Sequence, residues 1–361
     1  MTGHNPVGPS PILTSRPGDG TRNRRKNWLS SFSLQVMLPR WANTCKCNET
    51  NEMTLFCLEP SACNSCERCH DVRDSCSGEY YTKSANFRWS DFEVMALKEN
   101  TVKRALRAGK PQIGTWLTLG SIAGARFLAR AGFPWLTVDM EHTHTDIQTA
   151  SYMFAAIADA GCVPLARIPA GKHEYIKMVL DCGAMGIVAP MVMDAAEAEM
   201  IVAAAKYPPR GNRSIGGGMH ALNFNATAEE YYQKADDEIL VIIQTEHIQA
   251  VDIADKIYAV PGIDAVFVGP NDLTYSMRGA DGSFPTKEGF EATLTRIREA
   301  AQRQKLPCGL HVFSAADAVR RAKEGWQFIA VVSELKMMLD GAAAILREVD
   351  PQNAASNLAK Y

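Results

Sequence analysis

The segment Val138-Asp139-Met140-Glu141-His142-Thr143-His144 follows the apolar run Trp135-Leu136-Thr137. A buried strand that ends on plain surface needs one polar residue; this one ends on Asp139, Glu141 and His142. An imidazole whose ordinary pKa lies near working pH can move a proton. Arg167, flanked by Ile168-Pro169, is a cation that can hold a carboxylate or a developing enolate oxygen, or can pair with an acid such as Glu141. Gln244 and Glu246 close the run ILVIIQ, and Gly269, Pro270 and Asp272 close DAVFV. Two carboxylates at one mouth, Glu246 and Asp272, repel unless a cation lies between them. Two protein oxygens with water and substrate completing the shell is the usual Mg²⁺ arrangement; a pair of solvated strand-end acids is the plain alternative. Trp116, Pro190, His311, Ser333 and Glu334 end the remaining apolar runs.

These residues need a scaffold that brings strand ends together. From residue 95 onward strand-like and helix-like runs alternate. The pattern predicts strands at 112–119, 135–140, 163–168, 186–192, 239–244, 264–268, 308–312 and 328–332. It predicts helices at 121–131, 146–160, 173–182, 195–206, 228–235, 250–258, 287–304, 315–323 and 335–347. Gly132 and Gly161 close the first two. The strands are apolar on both faces, as parallel strands covered by helices must be. Eight such units in about 250 residues predict an α/β chain with a closed (β/α)8 barrel. No G-x-G-x-x-G follows the first strand, which weakens an open doubly wound sheet. In a barrel the catalytic groups sit at the carboxyl ends of the strands.

The chain has 361 residues, 46% of them hydrophobic, and a formal net charge of −2. That balance favours neither nucleic acid nor an anionic membrane. No run approaches the ~18 apolar residues of a membrane span. Seven of the ten cysteines lie between Cys45 and Cys76. Cys162, Cys182 and Cys308 read as buried core thiols, so the main body reads as reduced and cytoplasmic. Residues 1–95 read as a mostly disordered, Cys-rich extension, poor in apolar periodicity. Cys63, Cys66, Cys69, His70 and Cys76 have close zinc-like spacing, without a second pair at zinc-finger distance. Arg22, Arg24, Arg25 and Lys26 give the leader the look of a mitochondrial presequence, the alternative location. The predicted organisation is extension 1–95, barrel 96–350 and tail 351–361.

The pieces IGTWLTL, FPWLTVDMEH, PLARIP, LDCGAMGIVAPMV, KYPPRGNRS, Gln244-x-Glu246 and VFVGPNDL resemble the HpcH/HpaI aldolase family. They keep that family's order and spacing over about 250 residues, including the 26-residue step from Glu246 to Asp272. The resemblance implies a metal-dependent aldolase acting on pyruvate. It implies Glu246 and Asp272 as ligands of a divalent metal (Mg²⁺, Mn²⁺ or Co²⁺), Arg167 as the residue that neutralises the enolate, and His142 as general base. Asp181 resembles an Asp supplied by a neighbouring subunit to orient that base, which implies a homo-oligomer, a hexamer by the same resemblance. Trp116, Gln244, Gly269 and Pro270 match substrate-pocket residues, with Asp139 and Glu141 supporting. The chain departs from the family at Thr143-His144-Thr145 and in the loop NRSIGGGMHALNFN, both beside the pocket.

The expected reaction is cleavage of a 4-hydroxy-2-oxo acid to pyruvate and an aldehyde, or the reverse addition; the partners are small molecules. A Schiff-base lysine is the competing chemistry, but no predicted strand ends in Lys. Two rival functions remain. One is a CoA-thioester lyase of the citrate lyase β or malyl-CoA type, which would want a basic surface for the CoA phosphates. The other is an inactive barrel fused to a Cys-rich interaction module, which sits poorly with the intact set His142, Arg167, Glu246 and Asp272.

Overall fold

The computed structural model describes residues 97–350. The extension, its zinc-like spacing, the presequence reading and the tail lie outside the described residues.

The chain begins with α1 (Thr101–Arg107) and β1 (Gln112–Leu117). Then come α2 (Ile122–Leu128), β2 (Trp135–Asp139), α3 (Ile147–Ala158), β3 (Val163–Arg167), α4 (His173–Asp181) and β4 (Gly186–Ala189). Between β4 and β5 (Leu240–Gln244) lie α5 (Ala195–Ala205), α6 (Met219–Asn223) and α7 (Ala228–Glu238). Next are α8 (Ile248–Asp252), α9 (Ala254–Tyr258), β6 (Ala265–Val268), α10 (Pro270–Ser276) and α11 (Lys287–Arg303). The chain closes with β7 (Cys308–Val312), α12 (Ala315–Lys323), β8 (Phe328–Ser333) and α13 (Glu334–Val349). The strands pair in parallel in sequence order, and β8 returns to β1, so the expected eight-stranded barrel is closed.

Local chemistry starts and stops these elements. Side-chain oxygens of Ser121, Asp146, Asp194, Thr286, Ser314 and Ser333 each accept a backbone N–H of the helix they begin. Gly161, at φ 81°, turns the chain after α3 in a conformation other residues resist. The first strand stops before 119 because the backbone N–H groups of Thr118 and Leu119 donate to the Glu334 carboxylate instead of a neighbouring strand. The fourth stops before 192 because Pro190 has no N–H and Met191 sits at φ 52°. The helix expected at 250–258 breaks at Ile253 into α8 and α9. Three helices were not expected at all: α1, α6 and α10. Of the three cysteines expected in the core, Cys162 and Cys308 are buried, whereas Cys182, just past the end of α4, is only half-buried; all three are free thiols.

The barrel interior is filled by rings stacked across strands. Trp135 lies on Phe328 with centroids 4.2 Å apart, and Trp116 on Phe267 at 5.1 Å. Such bulk needs small residues opposite it. A Cβ on Gly114 would lie 2.2 Å from the Trp135 ring, and one on Gly309 would lie 1.9 Å from the Phe328 carbonyl oxygen. Gly341, on the exposed face of α13, has open space around it. Gly309→Ala should therefore destabilise the fold by about 3 kcal/mol, since backbone has to move. Gly341→Ala should stabilise it by about 0.5–1 kcal/mol through helix propensity alone. Urea unfolding of both variants reads this; equal and small effects would mean that the β7–β8 packing is looser than described.

Candidate active site

A cavity of about 640 Å³ opens at the carboxyl ends of the strands. Trp116, Asp139, His142, Arg167, Gln244, Glu246, Gly269, Pro270 and Asp272 all line it, so nine of the sequence-derived residues meet in one place. Glu141 joins them through an ion pair to Arg167 and a contact with His142. Asp181 does not: it ends α4, just before β4 begins, at the opposite end of its βα unit from the mouth. There Arg213 Nη2 donates to its carboxylate at 2.7 Å.

Asp139 and Arg167 are register partners on β2 and β3, which places both side chains at the same height. The Arg167 fork donates through Nε to Asp139 Oδ1 at 2.8 Å and through Nη2 to Oδ2 at 2.5 Å. Its Nη1 meets Glu141 Oε2 at 3.1 Å. The alternative reading of Arg167 as an ion-pair partner of Glu141 is thus observed, and Asp139 is the tighter partner. The Asp139–Arg167 pair is nearly dry, with side chains 2% and 12% exposed. Desolvation opposes the Arg167 charge most, but the carboxylates outweigh it and hold the guanidinium above its ordinary pKa. His142 stands at the open side, 59% exposed, with Nε2 3.7 Å from Glu141 Oε1.

Glu246 follows β5 and is buried. Its Oε1 accepts the Met191 N–H at 2.8 Å and its Oε2 accepts from Gln244 Nε2 at 2.6 Å. Met191 holds its positive φ to aim that N–H, a strained conformation kept where the surroundings fix it. A Cβ on Gly269 would lie 2.1 Å from Glu246 Oε2, so only glycine leaves the carboxylate its place. Burial, then the nearby carboxylates of Asp272 and Glu141, push the Glu246 pKa up to about 7 against the Met191 bond. Burial likewise raises Glu141, opposed by Arg167 and His142. Asp272 sits in the first turn of α10, with Pro270 at its start.

Among the described residues no group of three or more His, Cys, Asp or Glu side chains forms a closed metal site. Glu246 and Asp272 both line the cavity and could hold a cation between them. Two carboxylates facing a polar cavity suit a hard divalent cation that keeps water or substrate in its shell. Gln244 Oε1 is buried beside them without a partner among the described residues.

The mouth also contains residues that strand-end reading missed: Thr118, Phe267, Asn271, Phe313, Val332 and Lys336. Phe267 was within reach of the pattern, since alternate residues of a barrel strand face inward. Lys336 could not be found that way, because it comes from the first turn of α13 and pairs with Asp340.

Comparison with known proteins gives the family. Residues 112–341 match the HpcH/HpaI aldolase/citrate lyase family, and the chain belongs to it. A hydroxypyruvate/pyruvate aldolase of Agrobacterium fabrum is 35% identical over 244 residues, which are 67% of this chain and 90% of that one. A 4-hydroxy-2-oxo-heptane-1,7-dioate aldolase of Shigella sonnei is 36% identical over 259 residues, 71% and 97% of the two chains. The crystal structure of an HpcH/HpaI aldolase/citrate lyase family protein from Burkholderia cenocepacia J2315 superposes with a TM-score of 0.64 at 32% identity. It covers 69% of this chain and 99% of its own. No helix among the described residues is long and apolar enough to cross a membrane.

The dry pair makes a stability prediction. Asp139→Ala leaves the Arg167 charge buried with only Glu141 to meet it, and should cost about 3 kcal/mol in urea unfolding. Asp252→Ala removes an exposed partner of Arg296 and should cost less than about 1 kcal/mol. Comparable losses in the two variants would show that the mouth pair is solvated.

Proposed function

We propose that this chain is a divalent-metal-dependent aldolase that cleaves 4-hydroxy-2-oxo acids to pyruvate and an aldehyde, and runs the reverse addition. The observation that carries the reading is the meeting of Glu246 and Asp272 with Arg167 and His142 in one cavity. The names of the relatives from Agrobacterium fabrum and Shigella sonnei support the same class. Glu246 and Asp272 are the protein's ligands for Mg²⁺, Mn²⁺ or Co²⁺, which when bound supplies Lewis-acid polarisation of the 2-keto group.

The remaining steps belong to side chains. His142, or a water it activates, takes the proton of the 4-hydroxyl. The C3–C4 bond then breaks, its electron pair passes into the C2–C3 bond, and the charge gathers on the C2 oxygen as an enolate. Arg167 offers that oxygen a guanidinium; losing such a contact costs ~3 kcal/mol in the barrier. All three of its nitrogens now face Asp139 or Glu141, so a substrate oxygen displaces the weaker partner, Glu141. Protonation at C3 completes pyruvate. Trp116 and Gln244 border the acid, and Gly269 and Pro270 shape the wall beside the metal ligands.

The assembly is proposed as a homo-oligomer, a hexamer by resemblance, in which Asp181 orients His142 of a neighbouring subunit. Two features of Asp181 support this. Its carboxylate is 23% exposed while its partner Arg213 is fully buried. Around it, among the described residues, Arg213 Nε and Tyr207 Oη are buried without partners.

Three outcomes test the reading. Chelator-treated protein should stop releasing pyruvate from a panel of 4-hydroxy-2-oxo acids and resume with Mg²⁺, Mn²⁺ or Co²⁺. Glu246→Gln and Asp272→Asn should each prevent recovery while leaving the circular dichroism unchanged. Full turnover in excess chelator would remove the metal.

The second outcome concerns pH. Glu246 has its pKa raised to about 7 in the cation-free fold, so its proton favours that fold at acid pH, and the contribution fades as pH rises through about 7. A cation needs the ionised carboxylate and displaces that proton. Mn²⁺ affinity should therefore fall about tenfold per pH unit below 7 and level off above it. Titration calorimetry at pH 6 and pH 8 reads the difference, and an unchanged affinity would contradict it.

In the third, inactive His142→Ala mixed with inactive Asp181→Ala should regain partial turnover in hybrid oligomers. A fully active monomer would leave Asp181 as an ordinary helix-end residue.

A further inference from the structure

Strand β8 carries one extra residue where it runs beside β1. Gly114 pairs with Ala330 and Trp116 with Ser333, so Thr115 alone faces Val331 and Val332. Thr115 Oγ1 lies 2.8 and 3.2 Å from their carbonyl oxygens, and Val332 takes the strained φ of 46°. A bulge of this kind re-aims the side chains that follow it. Here the chain turns into α13, whose first residue is Glu334. Glu334 Oε1 accepts the backbone N–H groups of Thr118 and of Leu119, the latter at 2.7 Å. Its Oε2 accepts the Thr118 hydroxyl and the Leu335 N–H, each at 3.2 Å. Among the described residues no cation pairs with this carboxylate. Burial raises its pKa despite the four bonds, so the acid is kept there at a cost to its charged form.

The turn that Glu334 clamps abuts the loop that carries His142. Thr118 lines the mouth together with His142, Thr143 and His144. Gly120, at φ 62°, closes the turn, and a Cβ on it would lie 3.3 Å from both His144 Nε2 and Thr145 Oγ1. Turn and loop are therefore in direct contact. Inside the loop, Thr143 Oγ1 accepts the Thr145 N–H at 3.1 Å and donates to the Asp139 carbonyl. Thr143-His144-Thr145 is also where the sequence leaves its family's pattern. His142 is exposed, and its Nε2 is 3.7 Å from Glu141 Oε1, too far for a hydrogen bond. The backbone of its loop thus decides where the ring stands.

We propose that Glu334 is a positioning residue: through the turn at 118–120 it sets the loop at 142–145 and so the place of His142. This rests on the aldolase reading, in which His142 is the base, and adds the residue that holds the base in register with the substrate.

Hydrogen–deuterium exchange on the full chain reads the coupling without turnover. Glu334→Ala should speed exchange about tenfold or more at 118–119 and also at 142–145, while β5 keeps its protection. Kinetics with Mn²⁺ and a 4-hydroxy-2-oxo acid read the consequence. The same variant should lower kcat by about a hundredfold, the effect of a misplacement of about 1 Å. Its Mn²⁺-loaded form should still bind pyruvate within about twofold of the wild type. Glu334→Gln, which keeps one oxygen for both N–H groups, should recover most of kcat. Glu334→Asp, which keeps the charge but is one methylene short, should not; these two variants carry the test if Glu334→Ala does not fold. Exchange that rises at 118–119 but not at 142–145 makes the clamp local and overturns the proposal. So does an unchanged kcat in Glu334→Asp, or a pyruvate affinity that falls together with kcat, and each of these leaves the aldolase in place. A wild type that releases no pyruvate from any 4-hydroxy-2-oxo acid overturns the aldolase reading and this proposal with it.

Discussion

Four carboxylates, Asp139, Glu141, Glu246 and Asp272, converge on the mouth of the barrel, and one guanidinium answers them from within. Arg167 is consumed by two, Asp139 and Glu141. Glu246 is left buried against the fields of Asp272 and Glu141, with neutral hydrogen bonds from Met191 and Gln244 as its support. An excess of negative charge in a concave, partly dry site destabilises the fold unless protons or cations enter. Much of the surrounding geometry serves this arrangement. The β2–β3 register sets Asp139 level with Arg167. The positive φ of Met191 supplies an N–H, and the bare Cα of Gly269 leaves room for the Glu246 oxygen.

The two ends of the barrel treat buried charge differently. At the amino ends, Lys103 bonds Asp264 and the Ile239 carbonyl, and Asn100 bonds Glu238 and the Met185 carbonyl. Arg104 and Arg107 complete the acids. Lys103, Arg104 and Arg107 are thus matched by Asp264 and Glu238, which is how a fold closes its base. At the mouth, Gln244 Oε1 and His311 Nε2 have no partner among the described residues, and Met191 and Val332 hold strained backbone. A chain whose local rules agree at one end and conflict at the other keeps its conflict where a ligand resolves it.

This contrast also explains what the sequence revealed. The mouth was legible because its polar residues interrupt apolar runs at strand ends: Asp139 after WLTV, Arg167 after VPLA, Glu246 after LVIIQ. The barrel was legible because period and count need no long-range knowledge. Asp272 was found, but its helix α10 was not, because Gly269-Pro270 reads as a turn and the helix depends on docking above the mouth. The base was hidden for the same reason. Lys103 and Asp264 are 161 residues apart, and Asn100 and Glu238 are 138 apart, so nothing in either neighbourhood announces the partner. His311 was visible as a strand end; its lack of a partner exists only in three dimensions.

The same distinction bears on the two aldolase chemistries. A Schiff-base mechanism needs an amine that is unprotonated near neutral pH and within reach of the substrate carbonyl. The first condition is met: burial lowers Lys206 to about 7. The second is not. Lys206 donates to the carbonyls of Asp236 and Ile239, ahead of β5 at the amino end of the barrel. Lys336 reaches the rim, but its ammonium is tied to Asp340 on its own helix. Location therefore outweighs pKa. At the mouth the polar groups are carboxylates facing a cavity, which suits the proposed cation chemistry better than an amine's.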